Sequence, residues 1–202
     1  MTKYCTDSSY GTVDDKTTLD PEDDAATQIM GGDWRMPTTD EFQELYNETL
    51  WVWCPGGKVG IKKTDESGKE SIEYIAYPVG YFVFKTVSDK KQRGTFSKDG
   101  NGNLTAYNGT SGTIYYPGAH EVTESGVTSI VDGDIHIFFP VSGYAYGAGV
   151  NGKRTFGFYW SSSLHPSNSR LGLSLHFTNN NIYPQSNSSY RDYGICVRGV
   201  FK

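Results

Sequence analysis

Leu171, Leu173, Leu175 and Phe177 occupy every second position of one short stretch. Only an extended chain gathers such residues on one face, because successive side chains of a strand point to opposite sides. The stretch is predicted to be a strand with these four residues turned into a core. Gly172, Ser174, His176 and Thr178 must then face the other way.

Most of the chain is consistent with strands and turns. It carries 24 Gly, 15 Tyr and 10 Phe against 3 Met, a bias toward sheets and turns and away from a helix bundle. Residues 51–54 read as a short strand ended by Pro55-Gly56-Gly57, and residues 72–75 and 81–84 as further strands. Residues 135–140 are the most apolar run and are predicted to be a buried central strand, with His136 a sheet-face residue rather than a ligand. Residues 159–162 and 193–198 read as two more strand ends. Residues 88–133 look loop-like, with turns at Asp99-Gly100-Asn101-Gly102 and Asn108-Gly109.

Helix signals are confined to the first quarter. Asp20 is placed to cap one helix, with Pro21 in its first turn and Glu22, Asp23 and Asp24 complementing the dipole. Ala25 to Met30 continue it and Gly31-Gly32 stop it. The acidic cluster lacks the spacing of a calcium loop. A second helix is predicted from about residue 39 to 50: Thr38 and Glu41 form a capping box, and Phe42, Leu45, Tyr46 and Leu50 share a face. No internal repeat or linker appears. The organisation expected is one α+β domain over residues 1–202: two helices near the N-terminus, mixed and antiparallel strands, many loops, and an insertion near residues 93–129.

Several functions are disfavoured. A net charge of −5 and a pI near 5.3 provide no basic footprint for nucleic acid. No run of about 18 apolar residues suits membrane insertion, and the first residues have no apolar signal-peptide region. Cys5, Cys54 and Cys196 are too few and scattered for a disulfide scaffold or zinc site. One bridge with one free thiol is an option, and three idle thiols is the plainer reading. His136, His165 and His176 could be assembled on paper with Asp192 or a serine, but no nucleophile elbow or metal spacing supports a triad. No cofactor, metal site or catalytic residue is expected.

The informative anomaly lies further on. Residues 155–201 contain no Lys, Glu or Met, whereas the first 154 residues hold 11 Lys and 9 Glu. At that frequency roughly six would be expected, since both are ordinary surface residues. Ser, Asn, Tyr, His, Thr, Arg and Gly stand in their place. Randomising both adenines of an Asn codon ending in a pyrimidine yields this palette and cannot yield Lys, Glu, Gln, Met or Trp. The palette also suits a binding surface: Tyr supplies rigid amphipathic area, while Ser, Gly and Asn supply adaptable hydrogen bonds. Residues 165–170 and 183–192 are expected to be exposed loops on the strand framework.

Several motifs follow in order: Asp20-Pro21-Glu22-Asp23-Asp24-Ala25-Ala26, Gly31-Gly32-Asp33-Trp34-Arg35-Met36-Pro37-Thr38, Phe138-Phe139-Pro140-Val141-Ser142-Gly143-Tyr144, Tyr159-Trp160-Ser161-Ser162-Ser163 and Arg191-Asp192-Tyr193-Gly194-Ile195-Cys196-Val197-Arg198. Over residues 17–87 and 131–200 the chain resembles the FISUMP-type major paralogous domains of gut Bacteroidetes and their phages. It is also similar to the variable proteins of diversity-generating retroelements. The resemblance implies a C-type-lectin-like fold with its N- and C-terminal strands paired. It also implies a ligand-binding variable region at residues 155–200 made by adenine-directed mutagenesis.

Carried onto this chain, the diversified ligand-binding positions are His165, Ser167, Ser169, Arg170, Gly172, Ser174, His176, Tyr183, Ser186, Ser188, Tyr190 and Asp192. The partner implied is a protein or glycan on a cell surface. The chain would be displayed outside the cell, on a phage tail tip or bacterial surface, as an oligomer or as part of a larger assembly. Val197-Arg198-Gly199-Val200 departs from the usual Val-Arg-Pro-Val ending. Three alternatives stay open: a non-diversified adhesion or structural domain, a formylglycine-generating-type enzyme of the same fold, and a sugar lectin. The enzyme would need paired reactive cysteines. A calcium-dependent lectin would need a Glu-Pro-Asn or Trp-Asn-Asp motif, neither of which is present.

Overall fold

Asp24, not Asp20, caps the first helix in the computed structural model of the chain. Its carboxylate accepts the Thr27 N–H at 2.9 Å and the Met36 N–H at 2.8 Å, so one side chain both starts the helix and fixes the segment after it. The model describes residues 1–85, 93–98, 100–102, 104–109, 129–131 and 136–202, except the side chains of 59–64, 72–74, 84, 85, 93, 94, 105–109, 129–131, 136, 187 and 188. Helix α1 spans Ala25–Met30 and stops at Gly31, whose φ of 100° favours glycine. Asp20, Glu22 and Asp23 lie in the turn ahead of α1, where Lys3 pairs with Glu22 and Asp23 and Lys16 pairs with Asp20. Those lysines, rather than the helix dipole, are their immediate partners.

Helix α2 spans Thr39–Glu48. Its capping box is reciprocal: Glu41 Oε2 accepts the Thr38 N–H at 2.8 Å, and Thr38 Oγ1 accepts the Glu41 N–H at 3.2 Å. Phe42 is buried, while Leu50 already belongs to the following strand. In chain order the first strands are β1 (Trp34–Arg35), β2 (Thr49–Thr64), β3 (Glu70–Lys85), β4 (Arg93–Lys98), β5 (Leu104–Gly109), β6 (Ser129–Val131) and β7 (His136–Pro140). Then come β8 (Tyr144–Tyr146), β9 (Gly149–Asn151), β10 (Gly157–Leu164), β11 (Leu171–Phe177), β12 (Ile182–Tyr190) and β13 (Val200–Phe201). The fold is mixed α+β, with few helices and mostly strands in open sheets.

The chain divides into two compact units, Tyr46–Val141 and Met1–Leu45 with Ser142–Lys202. In the first, strands are ordered β5-β4-β2-β3-β7, with β6 also on β2. The hairpin β2–β3 dominates it, pairing in one unbroken register from Thr49↔Lys85 to Thr64↔Glu70. Pro55-Gly56-Gly57 therefore does not end the strand as expected. Gly56 takes φ 78° and the pairing carries through on both sides. Strands β4, β5 and β6 likewise occupy described parts of the region read as loop, residues 100–102 form a turn as expected, and the rest of that region lies outside the described residues. Strand β7 stands at an end of the strand order, not in the centre. One core face gathers Leu50, Val52, Cys54, Phe82, Phe96 and Leu104. On the other, Trp51 stacks on Phe139 at 5.6 Å and meets Tyr81 edge-on at 5.7 Å.

In the second unit, β10-β11-β12 form an antiparallel sheet, β8 pairs with β9, and the first strand β1 pairs with the last, β13. Residues 193–198 form isolated bridges, Gly194 to Ala145 and Cys196 to Tyr159, rather than a strand. Tyr159, Leu175, Phe177, Ile182 and Ile195 form much of the buried interior. No helix of the described residues is long and apolar enough to cross a membrane.

Candidate functional site

Strand β11 carries the alternation of Leu171, Leu173, Leu175 and Phe177, and it lies between β10 and β12. Leu175 and Phe177 are buried as predicted, with Leu171 and Leu173 half-buried. The opposite face is not free. Gly172 lies under Trp160, where an added Cβ would sit 2.8 Å from the indole Cζ3. Ser174 is 0 % exposed and its hydroxyl bonds that of Ser189 at 2.9 Å. His176 is half-buried between two rings. Facing away from the leucines thus does not mean facing solvent, because cross-strand neighbours cover this side too.

Residues 182–190 form a strand rather than the loop expected. Against β11 the register slips by one residue between Tyr183 and Ser186 and again between Ser186 and Ser189. Each extra residue lies on β12, as in a β-bulge, and bulges turn side chains away from strict alternation. Of the twelve candidate positions, Ser167, Arg170, Tyr183, Tyr190 and Asp192 are exposed, while His165 and Ser186 are half-buried. Ser188 lies on β12 with its side chain outside the described residues. Ser169 belongs to the interior instead: it is 3 % exposed, and its Oγ accepts the Thr6 N–H at 2.8 Å.

Across the sheet, three aromatic rings at paired positions lie on one another. Phe158 stacks on His176 at 4.1 Å with 2° between planes, and His176 on Tyr183 at 5.4 Å. The array continues edge-on from Phe158 to Tyr144 at 5.3 Å, then stacks Tyr144 on Tyr193 at 5.0 Å. Tyr146 and Tyr190 both reach Tyr193, and the Arg170 guanidinium stands 5.3 Å over the Tyr190 ring. Tyr183 is 48 % and Tyr190 40 % exposed, so the array shows aromatic area to solvent. Tyr144, Tyr146 and Tyr193 were not among the sequence candidates. Tyrosine at alternate positions 144 and 146, just before Gly147, is the signal that could have found the first two.

Electrostatics on this face are modest. Burial lowers the His176 pKa below its ordinary value, and its Nε2 is buried without a hydrogen-bond partner. Burial also raises the Tyr193 hydroxyl pKa. Behind the face, Arg191 Nη1 donates to the carbonyls of Tyr4 and Ser169, both at 3.0 Å, fastening the N-terminal segment beneath the loop at 165–170. A cavity of about 210 Å³ opens beside it, lined mainly by Leu19, Met36, Trp160, Leu164 and Val197.

For the other chemistries considered, Cys5, Cys54 and Cys196 are all free. Burial pushes the Cys54 thiol up to about 11, so it is neutral near pH 7 and a poor nucleophile. Asp20, Glu22 and Asp23 bring carboxylate oxygens within 4.8 Å of one another, but Lys3 and Lys16 engage all three. No family model, curated protein or solved structure matches this chain.

Proposed function

We propose that this chain is a ligand-binding module of C-type-lectin-like fold whose C-terminal segment displays a surface diversified by adenine-directed mutagenesis. One observation carries the proposal. Residues 155–201 have many exposed positions, among them Ser167, Arg170, Asn179, Asn180, Tyr183, Tyr190 and Asp192, yet none is Lys or Glu. Burial therefore does not account for their absence, and a restricted codon set at the diversified positions is in keeping with it. The contact face is His165, Ser167, Arg170, Tyr183, Ser186, Tyr190 and Asp192, backed by the fixed rings Tyr144, Tyr146 and Tyr193. Exposed tyrosines over a rigid sheet suit recognition of a protein or glycan on a cell surface. Pairing of the first and last strands is in keeping with the fold. The neutral thiol of Cys54 weighs against a formylglycine-generating-type enzyme.

A fixed adhesion or structural domain is the second reading. It is favoured by the burial of Ser169, Gly172 and Ser174, where a large residue would collide with its neighbours. Sequencing the DNA flanking the gene separates the two. The diversified module requires a reverse transcriptase gene and a near-copy of the segment encoding 155–201 that differs only at adenines. At Ser169 and Ser174, the copies recovered from a population should keep small residues. A flank without such a copy sinks the diversified reading and leaves the fixed domain.

A further inference from the structure

Beside the β10-β11-β12 sheet, a second depression of about 490 Å³, open to solvent, is lined by both polar and apolar residues. We infer that it is a metal-independent binding cleft for a neutral, hydroxyl-rich ligand, a single pyranose ring of a glycan. Its volume falls in the usual range for small-molecule sites, about 300–1,000 Å³.

The walls come from three places held together by hydrogen bonds. Thr18 bridges Ser163 as an antiparallel pair, and the Leu164 N–H donates to the Thr17 carbonyl at 2.8 Å. The first residue of α2 is fastened to the same strand, its Thr39 N–H donating to Ser163 Oγ at 3.1 Å. From β12, Gln185 Nε2 donates to Asp40 Oδ1 at 3.1 Å. Such ties preorganise a site, so little ordering is left for the ligand to bring about.

The chemistry of the walls selects the ligand. A sugar hydroxyl both donates and accepts, and it needs partners of both kinds. The Thr17, Thr18 and Ser163 hydroxyls offer either role, and the Asp40 carboxylate and Gln185 amide oxygen accept. His165 Nδ1 already accepts the Ser167 N–H at 3.2 Å, which leaves Nε2 to donate. Leu164, Pro166 and Leu173 supply apolar lining for the C–H face of a ring. Among the described residues no Lys or Arg lines the cleft, so none of its described residues supplies a full positive charge for a phosphate or carboxylate.

His165 belongs to both this cleft and the proposed contact face, but the residues varied in the test do not depend on diversification. Gln185 lies outside the set of residues that adenine randomisation of an Asn codon can reach, and Asp40, Thr17 and Thr18 lie outside residues 155–201. The test is saturation-transfer NMR on the whole chain, in EDTA, with glucose, galactose, mannose and N-acetylglucosamine each at about 10 mM, where millimolar affinity registers. At least one sugar should receive saturation. Gln185→Ala and Asp40→Asn, both at exposed positions, should each weaken its binding about tenfold, the loss of one well-made polar contact. Three results overturn the inference: no sugar saturates, binding is unchanged in both variants, or only a primary amine such as butylamine binds. A flank without a retroelement leaves the cleft standing, and a cleft that fails leaves the flank result standing.

Discussion

Ser174 and Ser189 illustrate why a polar residue on the far side of a strand is not automatically a contact residue. Their hydroxyls satisfy one another out of reach of water. Ser174→Ala should lower stability by about 1–3 kcal/mol, because it leaves the Ser189 hydroxyl buried without that partner. The double variant with Ser189→Ala should cost less than the sum of the two single ones, and urea unfolding of all four proteins measures the difference. His176 carries a prediction of its own. Burial depresses its folded-state pKa below the ordinary 6.5, so the unfolded chain takes up the proton first. Stability is then full above about pH 6.5 and falls as the pH drops below it. His176→Phe should flatten that limb below pH 6.5 in thermal melts, while keeping a ring between Phe158 and Tyr183.

At the level of elements, α2 was the most legible part of the chain because its start is a local event. Thr38 and Glu41 lie three residues apart and satisfy each other's amides without help from distant sequence. Thr38→Ala should remove about 1 kcal/mol. Glu41 has a second role, since its ion pair with Arg35 holds its pKa down to about 2 from 4.5. The stability this contributes is present above about pH 4.5 and is lost as the pH falls toward 2. Glu41→Gln should remove that acid-sensitive limb, read from melts across the same range. Strand β11 was legible for a similar reason: its leucines keep strict period two. Strand β12 was not, because its two one-residue slips against β11 erase the alternation and leave Ser, Asn and Pro184 looking like loop. Nor was the length of β2 legible. Pro55-Gly56-Gly57 is a local stop signal, overridden by sixteen residues of partner strand.

For the molecule as a whole, the candidate site was legible as a segment but not as a surface. Composition singled out residues 155–201, yet which of them reach solvent depends on distant neighbours: Trp160 and Ser189 cover β11, and Thr6 covers Ser169. Exchanging Ser167, Arg170 and Asp192 together should leave the melting temperature within a few degrees, since exposed positions each contribute little. Placing Tyr at Ser169, Gly172 and Ser174 together should prevent folding, seen as loss of a cooperative melt by circular dichroism. The ring array running from Tyr183 through His176, Phe158, Tyr144 and Tyr193 has a consequence for how such a surface evolves. Each ring rests on the next, so a change at one position alters what its neighbour can accept. Under the proposed function, positions 176 and 183 are therefore not independent draws: their effects on binding should be epistatic, and the repertoire open to the face is smaller than the product of the choices at its separate positions.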